Sequence, residues 1–175
     1  MNKGDNINLY NALSDKKLGS LQGAKFAYAI SRNLGLLQPE IEALKKSVEQ
    51  INSEEKYVAY EKARIKLAEE YANKDDKGLP IKIKKIVNKV ETEVFDGLDN
   101  NPEWEKVVAS LREEHKEAID NFNKQQTEQN ELLKTESTIT LYKVALADVP
   151  NAITADQMKR LAEIVEESIL SPFNK

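Results

Sequence analysis

Two long stretches of helix-forming sequence, each opened by a proline, constrain this chain more than any other feature. One runs from Pro39 to Tyr71 and the other from Pro102 to Lys134. Proline fits the first turn of a helix, where its missing N–H costs nothing, and it disfavours helix in the residue before it. Within the first stretch Ile41, Leu44, Val48 and Ile51 recur at alternating spacings of three and four, as in the seam of a coiled coil. The same register then meets Glu55 and Val58, while a second line begins through Tyr57, Tyr60, Arg64, Leu67 and Tyr71. The buried stripe therefore moves round the helix, or the helix breaks near Ser53. In the second stretch Trp104, Val108, Leu111, His115, Ala118 and Phe122 keep the spacing. Gln125 and Gln129 then make the seam polar before Leu132 and Leu133, as expected of a helix leaving its core or meeting a partner.

The segments between are shorter. Asn8 to Leu13 reads as a helix with Leu9 and Leu13 on one face, and Gly19 and Gly23 bracket a loose connection. From Ala24 to Leu37 the residues Phe26, Ala27, Ile30, Leu34 and Leu37 recur at helical spacing, and Gly35 with Pro39 marks a break. Asn73 to Pro80 is a turn by composition. Residues 81–95 fit two patterns: Ile81-Lys82-Ile83-Lys84 alternates like a strand, whereas Ile83, Ile86, Val87, Val90 and Val94 suit a helix. A short extended lead-in followed by helix is preferred. Asp96-Gly97 through Asn101-Pro102 turns the chain again, and Thr138 to Val144, rich in β-branched residues, is the best strand. Thr154 with Gln157 forms a capping box for a last helix, whose buried face is Met158, Leu161, Ile164, Val165 and Ile169. The expected fold is mainly α: a helical bundle or hairpin with two long helices and a minor β element near 137–146, in a single domain over 1–175.

With 175 residues and a net charge of −4, the chain is long enough for a real core. Its acidic balance argues against general duplex-DNA binding, which needs a broad basic footprint, but leaves room for a local basic pocket. There is no cysteine and one histidine, so thiolate chemistry is absent and a transition-metal site lacks its usual ligands. No phosphate loop, nucleophile elbow or metal-spaced ligand set occurs. No catalytic residue, metal or cofactor is therefore assigned, and the expected activity is binding. No apolar run approaches the roughly 20 residues that span a bilayer, and Met1 to Leu13 lacks a signal-peptide pattern. A soluble, intracellular protein with no membrane partner is expected.

Several clusters invite chemistry. Asn73, Asp75 and Gly78 fall like the start of a calcium loop, but Lys77 and Lys84 stand where the fifth and twelfth ligands belong, which opposes calcium. His115 lies on the apolar seam, where packing is the plain role and a protonation-sensitive contact the sharper one. Glu113, Glu114, Glu117 and Asp120 could do acid–base work only inside a cleft that separates their pKa values; on an amphipathic helix they form a solvated face. Tyr57, Tyr60 and Tyr71 have core spacing. Lys82, Lys84, Lys85 and Lys89 are a local basic concentration able to hold a phosphate or an acidic partner, against the plainer role of a solvated face. Lys25, Tyr28 and Arg32 share one helix face at i, i+3 and i+7. Arginine grips phosphate through two donors and tyrosine stacks or donates; packing with snorkelling cations competes with that role. These two groups supply the candidate ligand contacts.

The segment Leu9-Tyr10-Asn11-Ala12-Leu13, followed by Lys25-Phe26-Ala27-Tyr28-Ala29-Ile30-Ser31-Arg32-Asn33, resembles the start of a family of small uncharacterised proteins of tailed bacteriophages. The resemblance continues through Pro39-Glu40, Asn130-Glu131-Leu132-Leu133, Ile139 to Val144 and the helix after Ile153-Thr154, and is weak from Leu79 to Ser110. It implies a phage origin, a mostly helical fold and a place in the host cytoplasm, and brings no catalytic residues. The expected function is a non-enzymatic phage accessory protein that acts by binding, one form being counter-defence by sequestering a host nucleotide immune signal or a defence protein. The alternative is a virion structural or assembly protein or a tail chaperone; a carboxylate-dependent hydrolase ranks behind both. A homo-oligomer is expected: a helix from Pro39 to Tyr71 would extend roughly 50 Å, more than a compact monomer of this size covers, so either it breaks near Ser53 or part of its apolar stripe meets another subunit.

Overall fold

The computed structural model of the chain describes residues 1–21, 23–87 and 89–166. Helices dominate: α1 (Lys3–Leu13), α2 (Lys16–Gly19), α3 (Ala24–Asn52), α4 (Glu55–Tyr71), α5 (Pro102–Glu114), α6 (Lys116–Lys134) and α7 (Ala155–Arg160). The β structure is small. An antiparallel hairpin joins β1 (Lys82–Val87) to β2 (Val90–Phe95), and a two-residue parallel ladder joins β3 (Val144–Ala145) to β4 (Val165–Glu166). The chain is mainly α with a minor β element. Its contacts divide into two units, Met1–Val48 with Glu128–Lys175, and Glu49–Thr127.

In the first unit α3 runs unbroken through Gly35 and Pro39, where the sequence pattern had placed a break. The reason lies in its buried side. Phe26, Ala29, Ile30, Leu37 and Ile41 are all buried in one cluster with Leu9 and Leu13 of α1, Val144, Leu161 and Ile164. Interrupting α3 at Pro39 would take Leu37 and Ile41 out of register with that cluster, and each such side chain contributes about 1.5–3 kcal/mol when fully buried. An internal proline costs about 3 kcal/mol, through one lost hydrogen bond and a clash with the carbonyl four residues earlier. Here that carbonyl belongs to Gly35. Packing wins.

The strand-like segment 138–143 also departs from expectation, for only Val144–Ala145 enters a ladder. Side chains serve its backbone instead. Asn33, fully buried, donates from Nδ2 to the Tyr142 carbonyl and accepts the Tyr142 N–H at Oδ1, both at 2.8 Å. Ser137 Oγ accepts the Ile139 N–H at 3.2 Å and an Nδ2 hydrogen of buried Asn6 at 2.7 Å. The capping box at Thr154 and Gln157 forms as patterned, with bonds of 2.9 and 3.2 Å, although α7 ends at Arg160. Leu161 and Ile164 are fully buried beyond it; Ile169 lies outside the described residues.

In the second unit the expected break near Ser53 is real: α3 ends at Asn52 and α4 begins at Glu55. The second long stretch divides as well, at His115, which caps α5 with φ −102°. Asn101 Oδ1 caps the start of α5 by accepting the Glu103 and Trp104 N–H groups. Tyr57 stacks on Phe122 with centroids 3.7 Å apart, and Tyr60, buried, sits 5.7 Å from the His115 ring. The tyrosine line is packing.

Residues 81–95 are the largest correction. They form a hairpin in which Lys82 pairs with Phe95 and Lys85 with Thr92, not an extended lead-in to a helix. Alternation wins because Ile83 and Lys85 are half-buried while Lys82, Lys84 and Ile86 are exposed, a period of two that a helix cannot match. Lys89, at φ 67°, takes the left-handed conformation in the connection.

Replacing Pro39 by alanine should restore the helical N–H without disturbing the core, since Pro39 is exposed. The helix gains about 3 kcal/mol and the freer unfolded chain returns about 0.4–1 kcal/mol, so Pro39→Ala is expected to raise unfolding free energy by about 2 kcal/mol. Urea unfolding checks this, and a loss of stability would mean that α3 is broken at Pro39.

Candidate functional site

A cleft of about 750 Å³ opens in the second unit. One wall is α4, through Arg64, Ile65, Ala68 and Glu69. The other is the hairpin, through Lys82, Lys85 and Thr92 to Phe95, and the turn residues Leu98 and Asp99 with Trp104 of α5 close it. This volume lies in the range of small-molecule sites, about 300–1,000 Å³.

Two of the lysines selected from the sequence, Lys82 and Lys85, line this cleft, although, three positions apart on one strand, they leave it on opposite faces of the ribbon. The Lys82 ammonium lies 5.2 Å from the centroid of the Phe95 ring, a cation–π placement that follows from the Lys82–Phe95 register. Lys85 pairs with Asp99. Arg64 donates from Nε and Nη2 to both carboxylate oxygens of Glu61, at 3.0 and 2.8 Å, and that bond raises its pKa further above the usual guanidinium value. Lys84 does not line the cleft; it pairs with Glu91 across the strands at 3.2 Å. Lys89 is exposed in the hairpin connection.

The other group lies in the first unit. Arg32 Nη1 donates to the Tyr28 hydroxyl at 3.4 Å, so these two meet as their spacing implied. Lys25 is drawn away, to Asp148 at 3.0 Å. Tyr142 takes its place: its ring meets Tyr28 edge-on at 5.4 Å and 85°, and the Arg32 guanidinium lies 5.8 Å from its centroid. Tyr28 and Tyr142 remain 53% and 41% exposed, so this is an open cationic–aromatic platform. No carboxylate occurs between Ala24 and Pro39.

The other clusters have ordinary roles. Glu113, Glu114, Glu117 and Asp120 are all exposed, a solvated face. Asp75 Oδ1 accepts the Lys77 and Leu79 N–H groups, so the acidic turn uses that carboxylate to fold itself. Among the described residues no helix is long and apolar enough to cross a membrane.

Sequence reasoning missed Phe95, Arg64 and Trp104 as cleft residues, and Asn33 and Tyr142 as platform residues. A hairpin connection between Val87 and Val90 would have paired Lys82 with Phe95 directly. Nothing local announces Tyr142, which Asn33 holds from 109 positions away. Comparison with known proteins finds no matching family model, no matching curated protein and no matching solved structure.

Replacing Asn33 by leucine leaves the Tyr142 N–H and carbonyl without their partner, so stability should fall by about 1–3 kcal/mol, read by chemical denaturation. An unchanged midpoint would remove Asn33 as the holder of the platform.

Burial, then the neighbouring Glu61 carboxylate, raises the Tyr57 phenol above its ordinary value. The folded state therefore holds this proton more tightly than the unfolded chain does. That contribution is fully present below about pH 10, the unfolded value, and disappears as pH rises through the folded value. Tyr57→Phe should flatten the alkaline loss of stability above about pH 10, measured by urea unfolding across that range; an identical slope would exclude Tyr57 as a contributor.

Proposed function

We propose that the protein acts by binding: it holds a small anionic ligand in the cleft of its second unit and releases it unchanged. The observation that supports this is the combination in one cleft of a cation lying on an aromatic ring, Lys82 on Phe95, with apolar side chains beside it. Cations and π-faces recognise charged, flat molecules. Nothing in the cleft resembles an activated nucleophile with its base. With the resemblance to phage proteins, this becomes an accessory protein of the host cytoplasm whose effect is sequestration, and a nucleotide immune signal has the matching chemistry.

Titration calorimetry against a panel of nucleotides and aromatic anions should give saturable binding, with the ligand recovered intact by mass spectrometry. A chemically altered ligand would overturn the non-enzymatic part. No binding by a folded protein would overturn the ligand part.

The platform of Tyr28, Arg32 and Tyr142 favours a second reading, a protein partner in assembly. Exposed, pre-positioned tyrosine and arginine are the residue types that dominate protein–protein hot spots. Loss of a co-purifying tail or capsid protein on Tyr28→Ala would place the protein in that class.

A further inference from the structure

We infer that the cleft selects a flat ring system carrying one phosphate group and several hydrogen-bond donors, the chemistry of a nucleoside monophosphate. This rests on the binding reading above and narrows it.

The argument begins with charge. The lining supplies three cations, Arg64, Lys82 and Lys85, and three carboxylates, Glu69, Glu93 and Asp99. Two of the cations are engaged, Arg64 by both oxygens of Glu61 and Lys85 by Asp99. Lys82 makes no ion pair among the described residues; its ammonium rests over Phe95. A single phosphate thus meets one uncommitted cation. A triphosphate would bring further negative charge towards Glu69 and Glu93 with nothing free to balance it, and like charges brought together in a cleft repel strongly.

The carboxylates also favour a nucleoside over a plain aromatic anion. Glu69 and Glu93 make no ion pair among the described residues, and an ionised carboxylate only accepts hydrogen bonds. Ribose hydroxyls and exocyclic amines are donors that can satisfy them once a ligand excludes water. A ligand without donors would leave them poorly solvated. The ring finds Phe95 and Trp104, and base stacking on aromatic side chains tolerates any base. When phosphate draws the Lys82 ammonium away, the face of Phe95 that it covers becomes available.

Trp104 is the chain's one tryptophan, so its fluorescence reports this cleft directly. We would titrate the whole protein with AMP, ATP, adenosine and 2-naphthyl phosphate. AMP should give a saturable change and bind at least roughly tenfold more tightly than the other three, the worth of one charge-assisted hydrogen bond. Lys82→Ala should weaken AMP by at least roughly the same factor, and Lys82→Arg should restore it. Equal affinity of Lys82→Ala and wild type would overturn the assignment of the phosphate to Lys82. ATP binding as tightly as AMP would overturn the single-phosphate selection. A response to naphthyl phosphate with none to the nucleotides would overturn the nucleoside class and leave the binding reading standing. Silence to all four, with an intact circular dichroism spectrum, would overturn both.

Discussion

A two-stranded antiparallel ribbon is marginal in water, so the hairpin from Lys82 to Phe95 depends on what holds its base. Asn73, two residues beyond the end of α4, is that anchor. Its N–H donates to the Asp96 carbonyl at 3.0 Å, its carbonyl accepts the Ile81 N–H at 2.8 Å, and Asp96 N–H donates to the Ile81 carbonyl at 2.9 Å. Its side-chain amide also donates to the Asp96 carboxylate at 2.9 Å. The closeness requires Gly97, at φ 80°, because a Cβ there would stand 2.6 Å from the Asn73 side chain. Lys82 and Phe95 are the first paired residues above this knot. The base from which this pair rises is therefore set by backbone hydrogen bonds and not by the flexible ribbon itself.

Both units settle the same contest, between what the backbone prefers locally and what burial demands. In α3 the demand comes from Leu37 and Ile41, and it carries the helix through a proline. At 138–143 the outcome reverses: a segment with strong β propensity finds no neighbouring strand among the described residues and pairs with side chains. Asn33 can replace a strand because a primary amide offers one donor and one acceptor at the spacing of a peptide group. The arrangement needs a buried amide with both ends satisfied, since an unpaired one costs more than it contributes. Asn33 meets that condition, while Asn6 Oδ1 has no partner among the described residues.

Periodicity in the sequence revealed most of what the helices bury, Ala27 and Val48 being exposed exceptions, but only some of where they end. The stripes through Phe26 to Leu37 and through Trp104 to Phe122, the break near Ser53 and the cap at Thr154 all follow from spacing and side-chain chemistry within one turn. The division at His115 does not, because its neighbours on the seam keep perfect spacing. The hairpin was hidden for a different reason. Ile81 and Ile83 alternate with lysines at a period of two, whereas Ile83, Ile86, Val87, Val90 and Val94 fit a period of about 3.6, and the deciding information is the tie to Asn73, which is not local. Of the candidate contacts, Tyr28 and Arg32 were legible because they stand one helical turn apart. The joining of Lys82 to Phe95 and of Tyr142 to Arg32 was not, since each pair is made by tertiary contact.

A capture protein has no transition state to stabilise, so its performance rests on how little must be ordered when the ligand arrives. The cleft is suited to that. Arg64 and Lys85 are already held by carboxylates, and the strand base is fixed through Asn73 and Gly97. Such pairing lowers the attraction for anions in general, because a ligand must compete with Glu61 and Asp99 for those two cations. It also raises discrimination, since a ligand with excess negative charge meets carboxylates rather than spare lysines. An open row of unpaired lysines would bind many anions tightly and distinguish few. On the binding reading proposed above, the engaged charges around Lys82 favour selective capture over indiscriminate anion binding, in a chain whose net charge is −4.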